Sequence, residues 1–180
     1  MERISASEEK LNKNLSYKSI LYTTGDELVN IVFEILGKIL NYDLSNFKDK
    51  KHEDFLIKQS DITFIGEIKG VNSSIKNQNI SQLEVHYQTY KDELENENKV
   101  ENIKALLIMN SNKDRKPEER EKIHENQIKL AEKYGSLIIL TYDLLKIFEA
   151  FENKELTTEK IKDIFINKIG LLNFEMDFKL

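Results

Sequence analysis

The sequence predicts a single α/β domain in which a mixed β-sheet is flanked by helices on both faces. The length of 180 residues suits one domain rather than two. The apolar pattern changes from a helical period to two hairpin strands and then to strands that alternate with helices, which is the order of a mixed sheet. Hydrophobic residues make up 39% and charged residues 33% of the chain, a composition typical of a globular protein.

The first strong element is a helix over residues 25–41. Thr24 and Glu27 have the spacing of a capping box at its start. Apolar residues leave only a narrow polar stripe on this helix, so we expect it to be largely buried. Residues 1–18 lack a comparable apolar stripe, and we expect a peripheral helix or arm there, outside a domain of residues 19–180.

Two strands, at residues 54–58 and 62–69, are close enough in sequence to form a β-hairpin. A short edge strand is expected near residues 44–47. After a polar loop, the stretch Ser81-Gln82-Leu83-Glu84 has a second capping-box pattern and predicts a helix to about residue 95.

The second half of the chain alternates strands with helices. A helix is predicted to begin at Pro117, which suits a first turn, and to end at Gly135. The other predicted elements are strands at 103–109 and 136–140, a helix that Thr141 caps and that runs to residue 151, a helix from Thr157 or Thr158 to about 169, and an edge strand over the tail, residues 171–180.

Composition excludes several kinds of site. The chain has no cysteine, which excludes disulfides, thiolate zinc sites and a cysteine nucleophile. With 3 histidines, a histidine-rich metal site is not expected, and His52-Glu53 does not continue as a zincin motif because Leu56 stands where a histidine is required. Any metal would therefore have oxygen ligands, which favours Mg²⁺ or Mn²⁺.

The net charge of −5 argues against a protein that coats nucleic acid, but it allows an enzyme with a basic rim. Basic residues that could form a rim are Lys48, Lys50, Lys51, Lys58, Lys69 and Lys76, and a second group of Lys113, Arg115, Lys116 and Arg120. No apolar run is long enough to span a bilayer and the start has no signal-peptide core, so we expect a cytoplasmic protein without a membrane partner.

The strand at residues 62–69 carries an acid and a base on one face. Because side chains alternate along a strand, Glu67 and Lys69 share one face while Phe64 and Ile68 share the other. Gly66 lies between Phe64 and Ile68 on that second face and, without a side chain, gives the backbone room. Glu67 and Lys69 are therefore expected to be neighbours.

Pairing the hairpin so that Phe55 and Ile57 join the apolar face places Asp54 opposite Glu67. Opposed residues have Cβ atoms about 4.5–5.5 Å apart. Two carboxylates that close require a divalent cation or a raised pKa, and a cation is the simpler solution. Asp61 has the same parity as Glu67 but lies roughly 20 Å away along the strand, so we expect it to be a turn residue.

These residues resemble the PD-(D/E)XK, or restriction-endonuclease-like, nuclease superfamily. The resemblance is carried by Glu53-Asp54-Phe55-Leu56-Ile57 and by Gly66-Glu67-Ile68-Lys69-Gly70, within the order helix, strand meander, helix, strand. It extends to the strand and helix of residues 137–151, as in restriction-like domains of bacterial defence proteins. The resemblance implies a restriction-endonuclease-like core for the α/β fold.

The resemblance also implies roles for individual residues. Asp54 and Glu67 would bind Mg²⁺ or Mn²⁺ together with the backbone carbonyl of Ile68, and Lys69 would act on the attacking water and on developing charge.

Further implied members are Glu27, which matches an extra acid on the first helix of many relatives, and Gln82, which resembles a glutamine that follows the lysine strand in some branches. Two positions depart from the family pattern. Glu53 stands where proline is common, and His86 stands where a tyrosine often follows the glutamine.

The function implied is metal-dependent hydrolysis of phosphodiester bonds, with DNA as the expected partner. Such a nuclease would serve as an effector domain of a restriction or anti-phage defence system, within a larger defence protein, and a homodimer would suit double-strand cleavage by symmetry. The alternatives are a catalytically inactive module of this fold that binds nucleic acid or a protein partner, and a structural domain in which the hairpin charges are incidental. The sequence does not distinguish DNA from RNA, or endonuclease from exonuclease action.

Overall fold

The computed structural model describes residues 15–44 and 53–179. Most of the edge strand expected at residues 44–47, three lysines of the first basic group (Lys48, Lys50 and Lys51) and residues 1–14 of the expected N-terminal arm lie outside the described residues. Residues 15–18 are helical and lead into a 3-10 turn at Ser19–Leu21. Tyr17 is buried against Phe148, with ring centroids 4.6 Å apart, so this end of the segment packs on the core. The boundary between arm and domain stays a prediction.

The described helices and strands alternate in the order that the apolar periodicity predicts. The helices are α1 Gly25–Ile39, α2 Asn77–Asn96, α3 Glu125–Tyr134, α4 Thr141–Glu152, α5 Thr158–Asn167 and α6 Phe174–Asp177. The strands are β1 Phe55–Lys58, β2 Thr63–Gly70, β3 Ile103–Asn110, β4 Leu137–Leu140 and β5 Gly170–Leu171. Within the described residues, no helix is both long and apolar enough to cross a membrane.

The strands form one five-stranded mixed sheet in the order β1-β2-β3-β4-β5. β1 runs antiparallel to β2, because the short turn between them allows only a hairpin. The later pairs are parallel, since a helical connection separates each strand from the next. The predicted mixed sheet is confirmed, and β2 lies inside it with β1 on one side and β3 on the other.

Helices cover both faces of the sheet, as predicted. On one face, Phe64 and Ile68 of β2 belong to a buried cluster with residues of α1 and α4. On the other face, Ile65 packs with apolar residues of α2 and α3. Alternate side chains of β2 therefore point into different core layers. Glu67 and Lys69 lie on the same face of β2 as Ile65, which is the face that α2 covers.

The hairpin register is the one that the apolar pattern predicts. Phe55 pairs with Gly66, Leu56 with Ile65 and Lys58 with Thr63. A β-carbon at Gly66 would lie 2.0 Å from Cζ of Phe55, whose ring is fully buried. Glycine is therefore required at position 66, because the Phe55 ring occupies the space of a side chain there.

Both predicted capping boxes are wrong. A contact with a residue distant in sequence replaces the first, and a capping contact a few residues earlier in the chain replaces the second. Thr24 occupies the N-cap position of α1 with no capping hydrogen bond from its side chain, and its Oγ1 donates to the carbonyl oxygen of Gly70 at 3.0 Å. α2 begins at Asn77 rather than at Ser81, and the side chain of Asn79 accepts from the Lys76 N–H at 3.0 Å. Gln82 consequently lies inside α2 rather than at its start.

Three boundaries in the second half also differ from expectation. Pro117 opens only a 3-10 turn, Pro117–Glu119, and α3 begins later. Thr141 is the first residue of α4 rather than its cap, and its hydroxyl donates to Oδ1 of Asn110 at 3.1 Å. The edge strand expected over residues 171–180 is wrong beyond Leu171, because the chain forms only the two-residue strand β5 and then the helix α6.

Candidate active site

The hairpin brings Asp54, Glu67 and Lys69 together at the end of β2. Glu67 and Lys69 lie on β2, and Asp54 immediately precedes β1. The Lys69 Nζ lies 2.7 Å from Glu67 Oε2 and 3.7 Å from Asp54 Oδ2. The predicted group of two carboxylates and one ammonium is therefore present as a contact cluster.

Asp54 continues the hydrogen-bond ladder beyond the end of β1. Its own N–H donates to the Gly66 carbonyl at 3.0 Å, and its Oδ2 accepts from the Ile68 N–H at 2.6 Å. The N–H and C=O of one strand residue point to the same side. The Ile68 carbonyl consequently faces the side of the strand on which Asp54 lies.

Glu67 is almost completely enclosed, with a side chain 1% exposed. Two residues on consecutive turns of α2 approach it, since side chains four apart on a helix share a face. The His86 Nδ1 contacts Glu67 Oε1, and the Gln82 Nε2 lies 3.5 Å from Glu67 Oε2. Gln82 thus contacts Glu67 at the outer limit of a hydrogen bond, and its catalytic role stays a prediction.

Burial and charge act in opposite directions on the two ionisable groups of β2. Burial raises the pKa of the Glu67 carboxyl, and although the hydrogen bond from Lys69 opposes this, the net pKa is above its ordinary value. Burial lowers the pKa of Lys69, but the hydrogen bond to Glu67 and the charge of Asp54 outweigh it and the pKa is raised. Lys69 is therefore a cation at neutral pH.

The donor atoms at this site suit magnesium. Mg²⁺ is usually bound through one or two carboxylates and keeps several waters, rather than being enclosed by protein ligands alone. Asp54 and Glu67 supply two carboxylates, and the Ile68 carbonyl faces the same region. Across residues 15–44 and 53–179, no cluster of 3 or more His, Cys, Asp or Glu is placed to hold a metal.

Glu27 lies in the first turn of α1 with an exposed side chain. In the described part of the chain, no hydrogen bond or ion pair connects it to Asp54, Glu67 or Lys69. The structure does not bring Glu27 into the contact cluster, and a catalytic role for it stays a prediction.

His86 is the contact that sequence reasoning did not assign to the site. The only signal for it was its position one helical turn after Gln82, where it replaces the tyrosine of some relatives. That spacing places the two residues on one face of α2, but only the packing of α2 over β2 turns that face toward Glu67.

Part of the second basic group is used inside the protein. Arg120 donates through Nη1 to Asn110 Oδ1 at 2.9 Å and through Nη2 to the Leu21 carbonyl. Arg115 pairs with Glu121 at 3.0 Å. Arg120 is therefore engaged inside the protein, whereas Arg115 lies in an exposed ion pair.

Asp61, the excluded rival acid, lies in the turn between β1 and β2, at the opposite end of β2 from Lys69. Its carboxylate pairs with Lys162, and its carbonyl accepts from Asn102 Nδ2 at 3.2 Å. The structure thus agrees with the exclusion of Asp61 from the site.

Proteins similar to this chain were found among solved structures. No family model and no curated protein matches the sequence. A structure of the restriction endonuclease FokI bound to DNA matches with a TM-score of 0.61 and 16% identity over 89% of this chain. A structure of FokI described without DNA matches with a TM-score of 0.59 and 17% identity over 88% of this chain. The chain spans 30% of the length of FokI in both cases. The chain has a restriction-endonuclease-like α/β fold.

Proposed function

We propose that this chain is a metal-dependent nuclease that hydrolyses phosphodiester bonds, with DNA as its substrate. The observation that supports this most strongly is the convergence of Asp54, Glu67 and Lys69 at the end of β2, within a restriction-endonuclease-like fold. Two acids beside a cation match the chemistry of phosphoryl transfer, which needs charge stabilisation and an activated water.

Each residue has a distinct part in the proposed reaction. Asp54, Glu67 and the Ile68 carbonyl would hold Mg²⁺ or Mn²⁺, which supplies Lewis acidity and lowers the pKa of water when bound. Lys69 would donate hydrogen bonds to the attacking water or to a phosphate oxygen and stabilise the negative charge that develops there. Gln82 supports Glu67 through a longer contact of 3.5 Å.

The proposed setting is a restriction or anti-phage defence system in the cytoplasm. DNA is proposed as the substrate because one matching structure is of FokI bound to DNA. We propose that the chain acts as the nuclease part of a larger defence protein, as the resemblance to restriction-like domains of such proteins implies. A homodimer would place two sites about a twofold axis, which suits cleavage of both strands.

A cleavage assay on supercoiled and linear DNA with Mg²⁺, Mn²⁺ or EDTA tests the proposal. We expect cleavage that EDTA abolishes and that falls about 10²- to 10³-fold in Lys69→Ala, the usual effect of removing one donor to developing charge. Glu67→Gln should lose cleavage as well. Lys129→Ala is the matched control, because Lys129 is exposed and forms an ion pair with Glu125 on its own helix. Undiminished cleavage in both site variants would refute the assignment.

The second candidate is a catalytically inactive module of this fold that binds nucleic acid. The enclosure of Glu67, whose two oxygens contact His86 and Lys69, favours this candidate, because a metal would have to share those oxygens. DNA binding in a mobility-shift assay, without cleavage in either Mg²⁺ or Mn²⁺, would support the inactive module and reject the nuclease.

A further inference from the structure

The two oxygens of the Glu67 carboxylate are engaged from two different elements. Oε2 contacts Lys69 Nζ at 2.7 Å, from the same strand. Oε1 contacts Nδ1 of His86, which lies on α2 and has a side chain 10% exposed. The two atoms stand at ion-pair distance, and because a carboxylate oxygen can only accept, the contact is attractive when Nδ1 carries a hydrogen.

His86 is better suited than the other two neighbours to define the plane of the Glu67 carboxylate. The last torsion of a glutamate side chain is broad, so one hydrogen bond leaves the plane free to turn. Lys69 is attached through a flexible stem, and Gln82 lies at 3.5 Å, the limit of a useful hydrogen bond. The His86 ring has few torsions and projects from a helix that Leu83 and Tyr90 anchor in the core.

We infer that His86 is a positioning residue of the proposed metal site, and that the contact of its Nδ1 with Glu67 Oε1 holds Glu67 in the orientation needed to bind a divalent cation together with Asp54. This inference rests on the proposed function, because it requires Glu67 to be a metal ligand. Hydrogen-bond partners of metal ligands typically change metal affinity or activity by about 10- to 100-fold when they are removed.

Mn²⁺ binding to the full chain, measured by isothermal titration and by the electron spin signal of free Mn²⁺, tests this inference without relying on catalysis. We expect His86→Ala to raise the Kd for Mn²⁺ by about 10- to 100-fold. His86→Asn should restore most of the affinity, because its amide nitrogen occupies nearly the place of Nδ1. His124→Ala is the matched control, since His124 is exposed at the start of α3.

A double-mutant cycle with Glu67→Ala separates positioning from general stability. Glu67→Ala alone should weaken Mn²⁺ binding, and adding His86→Ala should weaken it no further. Equal losses from His86→Ala with and without Glu67 would overturn the inference, because His86 would then act independently of that ligand. If His86→Ala does not fold, as judged by circular dichroism, His86→Asn and His86→Gln decide: Asn should bind Mn²⁺ more tightly, and equal binding overturns the inference.

The outcomes for the inference and for the proposed function are distinct. Weakened Mn²⁺ binding in Glu67→Ala with wild-type binding in His86→Ala overturns the role of His86 alone, even if the thermal midpoint falls. A wild-type chain that binds no Mn²⁺, or a Glu67→Ala variant that binds it normally, overturns both.

Discussion

Replacing Gly66 with alanine tests whether the Phe55 ring sets the geometry of the hairpin. The added β-carbon would lie 2.0, 2.2 and 2.7 Å from three ring carbons of Phe55, closer than side-chain contacts allow. Phe55 is fully buried and cannot turn into solvent, so the strands or the ring must shift. Overpacking of this kind typically destabilises by about 1–3 kcal/mol, and the severity of the overlap places Gly66→Ala at about 3 kcal/mol.

Urea unfolding of four proteins measures this effect: wild type, Gly66→Ala, Phe55→Ala and the double variant. Phe55→Ala alone should lose about 3–5 kcal/mol through the cavity that it leaves. In the Phe55→Ala background, Gly66→Ala should be neutral or stabilising by about 0.5–1 kcal/mol, because the clash is gone and alanine suits a strand better than glycine. The expected coupling energy is therefore about 3–4 kcal/mol.

In a chain of this size, a loss of 3 kcal/mol corresponds to a fall in Tm of roughly 6–12 °C. The Gly66 carbonyl also accepts from the Asp54 N–H at 3.0 Å, so the same shift should displace Asp54 and reduce Mn²⁺ binding. A Gly66→Ala variant within 0.5 kcal/mol of wild type, or one that loses the same free energy with and without the Phe55 ring, would refute the reasoning.

Two further predictions concern buried polar groups. Lys104 donates to the carbonyls of Gly135 and Lys168 at 2.9 and 2.6 Å, and burial lowers its pKa from 10.5 to about 8. The unfolded chain holds the Lys104 proton up to a higher pH than the folded chain does, so the contribution of Lys104 to the free energy of unfolding should rise between pH 8 and 10.5. Urea unfolding at several pH values should show this rise in the wild type and not in Lys104→Met. Parallel curves of unfolding free energy against pH for the two proteins would contradict this. Asn110 is fully buried and forms hydrogen bonds with Thr23, Arg120 and Thr141. Asn110→Ala should therefore lower the free energy of unfolding by about 2–4 kcal/mol. A loss under about 1 kcal/mol in chemical denaturation would count against this prediction.

Side-chain alternation and the apolar pattern of the hairpin were sufficient to predict the centre of the candidate site. The register follows from burying Phe55 and Ile57 with Phe64, and it carries Asp54 to Glu67 without any knowledge of the rest of the fold. These interactions are local in sequence, and a shift by one residue would turn Phe55 and Ile57 away from the core layer that contains Phe64. The sheet type was predictable for the same reason, since short and long connections permit different strand pairings.

Several polar contacts, among them the one that Thr24 makes instead of a capping hydrogen bond, were decided by residues distant in sequence. Thr24 has the pattern of a cap, yet its hydroxyl donates to Gly70, which only the folded chain brings near. Arg120 reads as a surface charge, but it turns inward to Asn110 because the loop after β3 packs back on the sheet.

The sequence by itself therefore determined the pairing of Asp54 with Glu67 and the position of Lys69 beside them, because strand periodicity and burial act over a few residues. Only the tertiary structure decided which helix covers that face of β2. The packing of α2 there buries Glu67 to 1% exposure and brings His86 to its second oxygen. Such a contact depends on how two layers are placed in space, and neither periodicity nor spacing along the chain contains that information.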